Sequence, residues 1–484
     1  MRDSKKGLKP LKWNWKIIIL SVLVLFLTVK INSEFALAKD KPQDKKSKTE
    51  KSRFEKLELF NKVLFLIESN YYRDIDTEKL IEGAIKGMMQ TLDPHSAYLD
   101  EEVFKKMQED TQGEFGGLGI EVTAKDGVLV VITPIEDTPA FAAGIKAGDK
   151  IVEIDNESTL GMTLDEAVDK MRGEADTKIS LGIAREGFDG IKHFDLKRKI
   201  IKLESVKSEP IDGIVYLRLT QFQKGSSDSI EKHIKKIRDN LKGKEVKGMI
   251  LDLRSNPGGL LDEAVDVSSI FLKEGIVVST EGRDPKSKEI RYVKKTGYKE
   301  LELPLVVLVN GSSASASEIV AGALQDHKRG IIMGSLSFGK GSVQTVAKLD
   351  DDRGVKLTIA QYMTPSGRKI QALGIKPDIE LEDLDGNWQK KNNSDLNYIR
   401  EADLRNHLTA TIETEEEKDQ RLEKEKKARQ ERAKRIAAKR SQKDKDKTKE
   451  DVEPSVPEGP GQDYQVVQAV NFLKGINSVK GLIK

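Results

Sequence analysis

Four serines stand where a helix should begin. The segment LPLVVLVNGSSASASEIVAGALQDH reads as a buried strand ending at Asn310, a Gly/Ser turn and an Ala-rich helix. A small hydroxyl at the amino end of a helix lies beside backbone N–H groups that have no intrahelical acceptor. Such a turn presents a nucleophile together with donors for an oxyanion. Ser312, Ser313, Ser315 and Ser317 all qualify. Helix capping by serine is the plainer reading of this segment taken alone.

A base is harder to find. The histidines are His95, His193, His233, His327 and His407. His327 falls about 18 Å along the helix axis from Ser315, and the others lie in helical, small-domain or tail segments. His95 sits in the turn LDPHSAYL, where a capping or hydrogen-bonded role suits it better than catalysis. Lys340 is the alternative, and the plain reading of the same residue is a surface lysine in a Gly turn. It stands between Gly339 and Gly341, near Phe338 and Val343, and a lysine becomes a base when its amine is desolvated. Gln344, four residues on in an extended stretch, shares its face and can orient the amine. In DLRSNPGG (Asp252 to Gly259), the glycines let backbone N–H groups point into a site, which makes the loop a source of a second oxyanion donor. An ordinary strand-to-helix turn explains the segment equally well.

Other chemistries are poorly supported. Gly334 to Lys340 spells G-x-x-x-x-G-K, but Gly341 follows where Ser or Thr is needed, and a strand follows instead of a helix. No His/Glu spacing of metal-hydrolase type occurs, so no metal or other cofactor is expected. With no cysteine there is no thiol nucleophile, disulfide or thiolate metal site.

The elements that position these residues form several parts. Residues 1–38 carry six basic residues up to Lys16, then the apolar run Ile17 to Val29 and Ala36-Leu37-Ala38. This reads as an export signal cut after Ala38 or as a retained anchor, and both place the chain outside the cytoplasm. Residues 39–53 are a polar linker and 54–112 a helical region, with Leu57, Phe60, Val63, Leu64 and Ile67 in one stripe and a second helix from Asp76 or Thr77. Residues 113–197 mix short strands with a helix that Thr163 and Glu166 cap as a box. Residues 198–384 are α/β, with helices at 226–241, 261–272 and 315–328. Residues 385–460 are a charged helical or disordered tail, and 461–484 an amphipathic helix that docks on the body. The 484-residue chain has 83 Lys+Arg against 80 Asp+Glu, a net charge of +3, with 34% charged and 37% hydrophobic residues. So even a balance argues against a nucleic-acid partner.

SASASEI, FGKGSVQ and DLRSNPGG together resemble the carboxyl-terminal processing proteases, the tail-specific serine peptidases, over about residues 55–381. The resemblance implies that Ser315 is the nucleophile, Lys340 the general base and Gln344 its positioner. The oxyanion donors would be the N–H groups of Gly258 and Ala316. It also implies a PDZ domain at 113–197, with Gly117, Leu118, Gly119 and Ile120 as the carboxylate-binding loop and Arg172 near the groove in a regulatory role. TPAFAAGIKAGD and IDN at Asn156 are mild departures from the family pattern. The expected fold is an α/β multidomain protein: a mixed-sheet serine peptidase core with an inserted PDZ domain and flanking helical segments. Expected partners are proteins with exposed carboxyl termini, a membrane through the amino-terminal segment, a second copy of the chain and an adaptor protein. The setting implied is the bacterial periplasm or cell envelope. The rival reading is a non-catalytic PDZ adaptor on a protease scaffold.

Overall fold

The computed structural model describes residues 45–125, 127–241, 245–350, 352–382, 399–410, 423 and 459–483. The export segment, its linker up to residue 44 and nearly all of the charged run at 413–451 lie outside them. Among the described residues no helix is long and apolar enough to cross a membrane.

The chain divides into two compact units, one up to Ala84 and one from Ile85 onward. The first holds helix α1 (Lys45–Asn70) and the start of α2 (Thr77–Gln90). Asp76 starts α2 by accepting the N–H groups of Glu78 and Lys79 at 3.0 and 3.3 Å. The apolar stripe of α1 is present but stays open: Leu57, Phe60 and Val63 are 52, 42 and 47% exposed.

In the second unit, strand β1 (Ala97–Leu99) and helix α3 (Glu101–Gln112) lead into β2 (Glu114–Gly117). Asp100 caps α3, and Gly113 ends it in the left-handed region. The next elements are β3 (Ile120–Lys125), β4 (Val128–Pro134), α4 (Pro139–Ala142), β5 (Lys150–Ile154) and β6 (Glu157–Ser158). Helix α5 (Leu164–Met171), β7 (Lys178–Ala184) and β8 (Lys192–Lys197) complete a six-stranded antiparallel sheet with its own core. Strand β9 (Lys199–Lys202) then pairs antiparallel with β2. The small domain is therefore inserted through a two-stranded neck. The expected capping box is in place: Thr163 accepts the Glu166 N–H at 3.2 Å, and Glu166 accepts the Thr163 N–H at 2.8 Å.

The core domain follows as β10 (Val206–Ile211), β11 (Ile214–Leu219), α6 (Ser226–Asn240), β12 (Gly248–Asp252), α7 (Leu261–Phe271), β13 (Ile276–Gly282), β14 (Glu289–Tyr292) and β15 (Leu305–Val309). It continues with α8 (Ala316–Asp326), β16 (Ile331–Gly334), β17 (Ser342–Lys348), β18 (Gly354–Met363), β19 (Ile379–Glu380) and the terminal helix α9 (Tyr464–Ile483). One sheet runs β10-β11-β12-β15-β16-β19, parallel except for the β10–β11 hairpin. Its central strands β11, β12, β15 and β16 are buried on both faces, as a parallel sheet requires, while the edge strands β10 and β19 are partly exposed. Val215, Leu217 and Leu219 of β11 pack with α6, α7 and α8. Ile214 and Tyr216 face the other way, onto Val466, Ala469, Val470 and Leu473 of α9. A second, antiparallel sheet joins β1, β13, β14 and β17 around β18.

The tail differs from expectation at one place. Residues 399–410 fall within the segment expected to be charged helix or disorder, yet they fold onto the core, and Glu401 there is 0% exposed. The dense Lys/Arg/Glu run that motivated the expectation begins only at Glu413, so composition averaged over the whole tail concealed this stretch.

Candidate active site

Three loops leave the carboxyl ends of three neighbouring parallel strands. β12 ends at Asp252, β15 at Val309 and β16 at Gly334, and these strands are paired in that order. The crevice at such strand ends is where open α/β sheets hold their ligands. The sheet order thus gathers DLRSNPGG, the serine turn and the Lys340 loop.

The structure separates the four serines. The Ser313 hydroxyl donates to the Leu253 carbonyl at 2.8 Å, and that of Ser317 to the Asn256 carbonyl at 3.0 Å. Both side chains serve to tie the serine turn to DLRSNPGG, while Ser312 is exposed. Ser315 has φ 55° and ψ −112°, a backbone conformation costing about 1–3 kcal/mol in a non-glycine residue. Its carbonyl accepts the N–H groups of Glu318 and Ile319 at 2.9 and 3.0 Å. Ala316, the first residue of α8, has no intrahelical acceptor for its own N–H.

Gly258 lies against this turn. A Cβ there would stand 2.8 Å from the Ser315 Cβ and 3.0 Å from the Ala316 nitrogen, and its φ of 104° also favours glycine. Its N–H donates to the Asn256 side chain at 2.9 Å. The two expected oxyanion residues are therefore adjacent, and in this conformation the Gly258 donor is engaged. Asn256 is the hub of the loop: fully buried, it also donates to Leu219 and accepts the Ala314 N–H.

Lys340 is drawn below the ordinary lysine range chiefly by burial, and further by the positive charge of Lys356, against the pull of Glu401, Glu318 and Asp93. The same-face argument for Lys340 and Gln344 does not hold. β17 begins only at Ser342, so Lys340 is in a loop, and a β-bulge falls between Val343 and Gln344. A bulge re-aims the side chain that follows it. The Gln344 amide donates to Ser342 and Thr358 hydroxyls at 3.0 and 3.2 Å. Its carbonyl oxygen has the polarity that an ammonium needs. The glycines of FGKG serve close packing: a Cβ on Gly341 would lie 2.3 Å from the Gln371 backbone nitrogen.

Glu318, unremarked in the sequence, joins the two sides. Its carboxylate accepts the Ser315 N–H at 2.8 Å, the Ser337 hydroxyl at 2.6 Å, and the N–H groups of Gly339 and Lys340 at 2.7 and 2.9 Å. Complete burial pushes its carboxyl up to about 7, although all four hydrogen bonds favour the ionised form. The S-x-x-E spacing from Ser315 is a capping-box signal that could have revealed it. Phe338 adds a backbone tie by donating to the Ser313 carbonyl at 3.0 Å.

Each histidine ring is engaged away from Ser315: His95 with Glu401, His193 with Glu153, His233 with Ser208, His327 with the Ile276 carbonyl and His407 with the Leu404 carbonyl. Among the described residues no group of three or more His, Asp or Glu could hold a metal ion.

In the small domain, Gly117, Leu118, Gly119 and Ile120 form the passage from β2 to β3. The Leu118 and Gly119 carbonyls accept the N–H groups of Ala140 and Ile135. Gly119 has φ 74° and abuts Thr138, where a Cβ would come within 2.3 Å. Arg172 faces the neck: its guanidinium lies 4.5 Å from the Phe115 ring centroid and 3.2 Å from Glu109 of α3.

A mixed-sheet protease core carrying a PDZ domain on a narrow neck is the class that this architecture defines. Family models match accordingly: Peptidase family S41 at residues 213–381, a PDZ domain at 130–185 and the N-terminal domain of the activating protease CtpB at 18–103. The chain is 46% identical over 366 residues to a carboxy-terminal-processing protease of Bartonella bacilliformis, covering 76% of this chain and 83% of that one. It is 38% identical to the carboxy-terminal processing protease CtpA of Bacillus subtilis, over 77% of this chain and 78% of that one. A solved photosystem II D1 C-terminal processing protease aligns at 31% identity with a TM-score of 0.40, covering 64% of this chain and 84% of the other. The chain belongs to the carboxyl-terminal processing proteases of peptidase family S41.

Proposed function

We propose that this protein is a serine endopeptidase that cuts exported proteins near their carboxyl termini with a Ser315–Lys340 dyad. The observation that carries the reading is the buried amine of Lys340, drawn below the ordinary lysine range by that burial, on a loop that the Glu318 carboxylate ties to the Ser315 turn. Neutral Lys340 takes the Ser315 proton as the hydroxyl oxygen attacks a peptide carbonyl. The oxyanion is met by the Ala316 N–H, and by that of Gly258 once it turns from Asn256. The protonated lysine gives its proton to the leaving amine, and water, deprotonated by the same lysine, hydrolyses the acyl-enzyme. Gln344 offers its carbonyl oxygen to the ammonium.

The loop Gly117–Ile120 receives the substrate's terminal carboxylate, and the substrate tail pairs with the PDZ sheet edge. Arg172, bound to the neck, is suited to report that occupancy to the core. The exposed apolar stripe of α1 suits pairing with a second copy, and the basic and apolar amino-terminal segment suits export to the cell envelope.

The test is incubation of the purified protein, without ATP or metal, with an unstructured substrate that bears an apolar carboxyl terminus. Cleavage that Ser315→Ala and Lys340→Ala abolish while circular dichroism is unchanged is the expected result. Full activity in either variant rejects the dyad. Binding without cleavage by the parent protein supports the adaptor reading instead.

A further inference from the structure

Glu401 is a carboxylate buried to 0% exposure on a segment that follows the core in sequence and makes no part of its sheets. Burying an ionised carboxylate costs several kcal/mol unless it is paired and hydrogen-bonded. Its partners are specific. Oε2 lies 2.7 Å from His95 Nε2, and Oε1 accepts from the Gln371 amide at 2.8 Å. The same Gln371 side chain accepts the Gly341 N–H at 2.9 Å and donates to the Leu408 carbonyl at 2.9 Å. The Glu401 backbone N–H donates to the Phe338 carbonyl at 3.1 Å. The segment is fastened on either side of these contacts, through Arg400 to the Leu373 carbonyl at 3.3 Å and through the Thr409 carbonyl to Gln361 at 2.9 Å.

These contacts grip the loop on both sides of Lys340, at Phe338 directly and at Gly341 through Gln371. We propose that Glu401 is a positioning residue for the peptidase reaction, holding the Lys340 loop in its reactive place through residues 400–409 as a strap. The proposal rests on the Ser315–Lys340 reading. His95 is the strap's anchor in the LDPHS turn, where Asp93 accepts the His95 N–H, the Ser96 N–H and hydroxyl, and the Thr358 hydroxyl. Thr358 in turn receives the Gln344 amide. The charged groups acting on the Lys340 amine come from four elements: Lys356 on β18, Glu318 on α8, Asp93 in the turn and Glu401 on the strap. The three carboxylates favour the ammonium form, so Glu401 also helps set the pH at which the base becomes neutral.

The experiment measures kcat and KM across pH for the full chain and for Glu401→Ala and Glu401→Gln, with an unstructured peptide as substrate, and Ser315→Ala in parallel. Glu401→Ala frees the loop and should lower kcat between about tenfold and a hundredfold with KM within about twofold, at a temperature where the variant is still folded. Glu401→Gln removes the charge but keeps a donor and an acceptor, to which His95 can adapt by changing tautomer. It should retain most of kcat and move the acid limb of the profile to lower pH, because the ammonium loses a stabilising anion. Unchanged kcat in Glu401→Ala, a change confined to its melting temperature, or an unmoved acid limb in Glu401→Gln overturns the proposal. Should Glu401→Ala not fold, the Glu401→Gln profile decides. Persistent cleavage by Ser315→Ala would instead overturn the dyad reading on which the proposal stands.

Discussion

Ser315 and Lys340 are held in different ways. The serine turn is secured mostly by residues next to it along the chain or in the adjoining strand loop: Ser313, Ser317, Asn256 and Gly258. The Lys340 loop is secured by side chains brought from elsewhere, namely Glu318, Gln371 and, through it, Glu401. The proposed nucleophile, Ser315, has a strained backbone with φ 55°, which the residues around it must enforce. A lysine proposed as the base must be desolvated to be neutral, and burying an amine requires cover from several directions. The difference implies that single substitutions near Ser315 should act on the chemistry alone, whereas those around Lys340 should also alter its pH dependence.

The sharpest way to break the serine side is Gly258→Ala. The added methyl would sit 2.8 Å from both the Ser315 Cβ and the Ala314 carbonyl oxygen. It would push apart the turn and the loop that carry the two proposed oxyanion donors, Ala316 and Gly258. We expect a loss in kcat of about a hundredfold or more, as for removal of one such donor, with the shape of the pH profile unchanged. A shifted acid limb in this variant would show that the two sides are not separable.

Glu318→Gln tests the tie between them. The amide presents one acceptor oxygen where the carboxylate had two, so two of four buried donors must face an NH2 group. Each donor left unsatisfied costs about 1–3 kcal/mol. The expected outcome is a clear drop in melting temperature together with a kcat reduced about tenfold to a hundredfold. Stability has its own sign here. A carboxyl raised to about 7 in the fold binds more protons folded than unfolded, so its contribution is fully present below the unfolded value near 4.5 and is lost as pH rises through 7. Glu318→Gln should remove that slope from the pH dependence of unfolding; a slope identical to the parent's would contradict the assignment.

A gentler probe of the lysine side is Lys356→Met. Lys356 disfavours the Lys340 ammonium, so its removal raises the Lys340 pKa. On the proposed dyad, cleavage needs neutral Lys340, and the acid limb should therefore move to higher pH. A shift to lower pH, or none, would show that this charge does not act on the base.

The same contrast explains what could be read from the sequence. The core helices and strands announced themselves by period and by turn residues, and the serine turn by its position between a buried strand and an Ala-rich helix. The sequence could not choose among four serines, because the choice depends on Ser313 and Ser317 reaching carbonyls of DLRSNPGG, a contact made only once β12 and β15 pair. Nor could it place Gln344, whose orientation depends on a bulge. β13 (IVVSTEG) and β14 (EIRY) carry no clean alternation and are joined by a charged turn, so period alone does not mark them as strands. Gln371 and Glu401 carry no local signal at all; their roles exist only where a remote strap meets the loop.

The smallest expected effect lies outside both sides of the site. Thr163 and Glu166 cap α5, and Ala167 and Met171 of that helix are buried in the PDZ core. Thr163→Ala removes the hydroxyl that accepts the Glu166 N–H, a loss of about 1 kcal/mol. The domain joins the core by the short β2–β9 ribbon and the Arg172–Glu109 contact, so this loss should stay within it. Thermal unfolding should show a lower first transition and an unmoved second one, and a short peptide with a blocked carboxyl terminus should be cleaved at the parent's rate. A substrate read through its free terminus should be cleaved more slowly only near the first transition, where the PDZ domain begins to open. If the blocked peptide slows as well, the inserted domain supports the Ser315–Lys340 geometry directly, and the site would have a third side to its construction beyond the serine turn and the lysine loop.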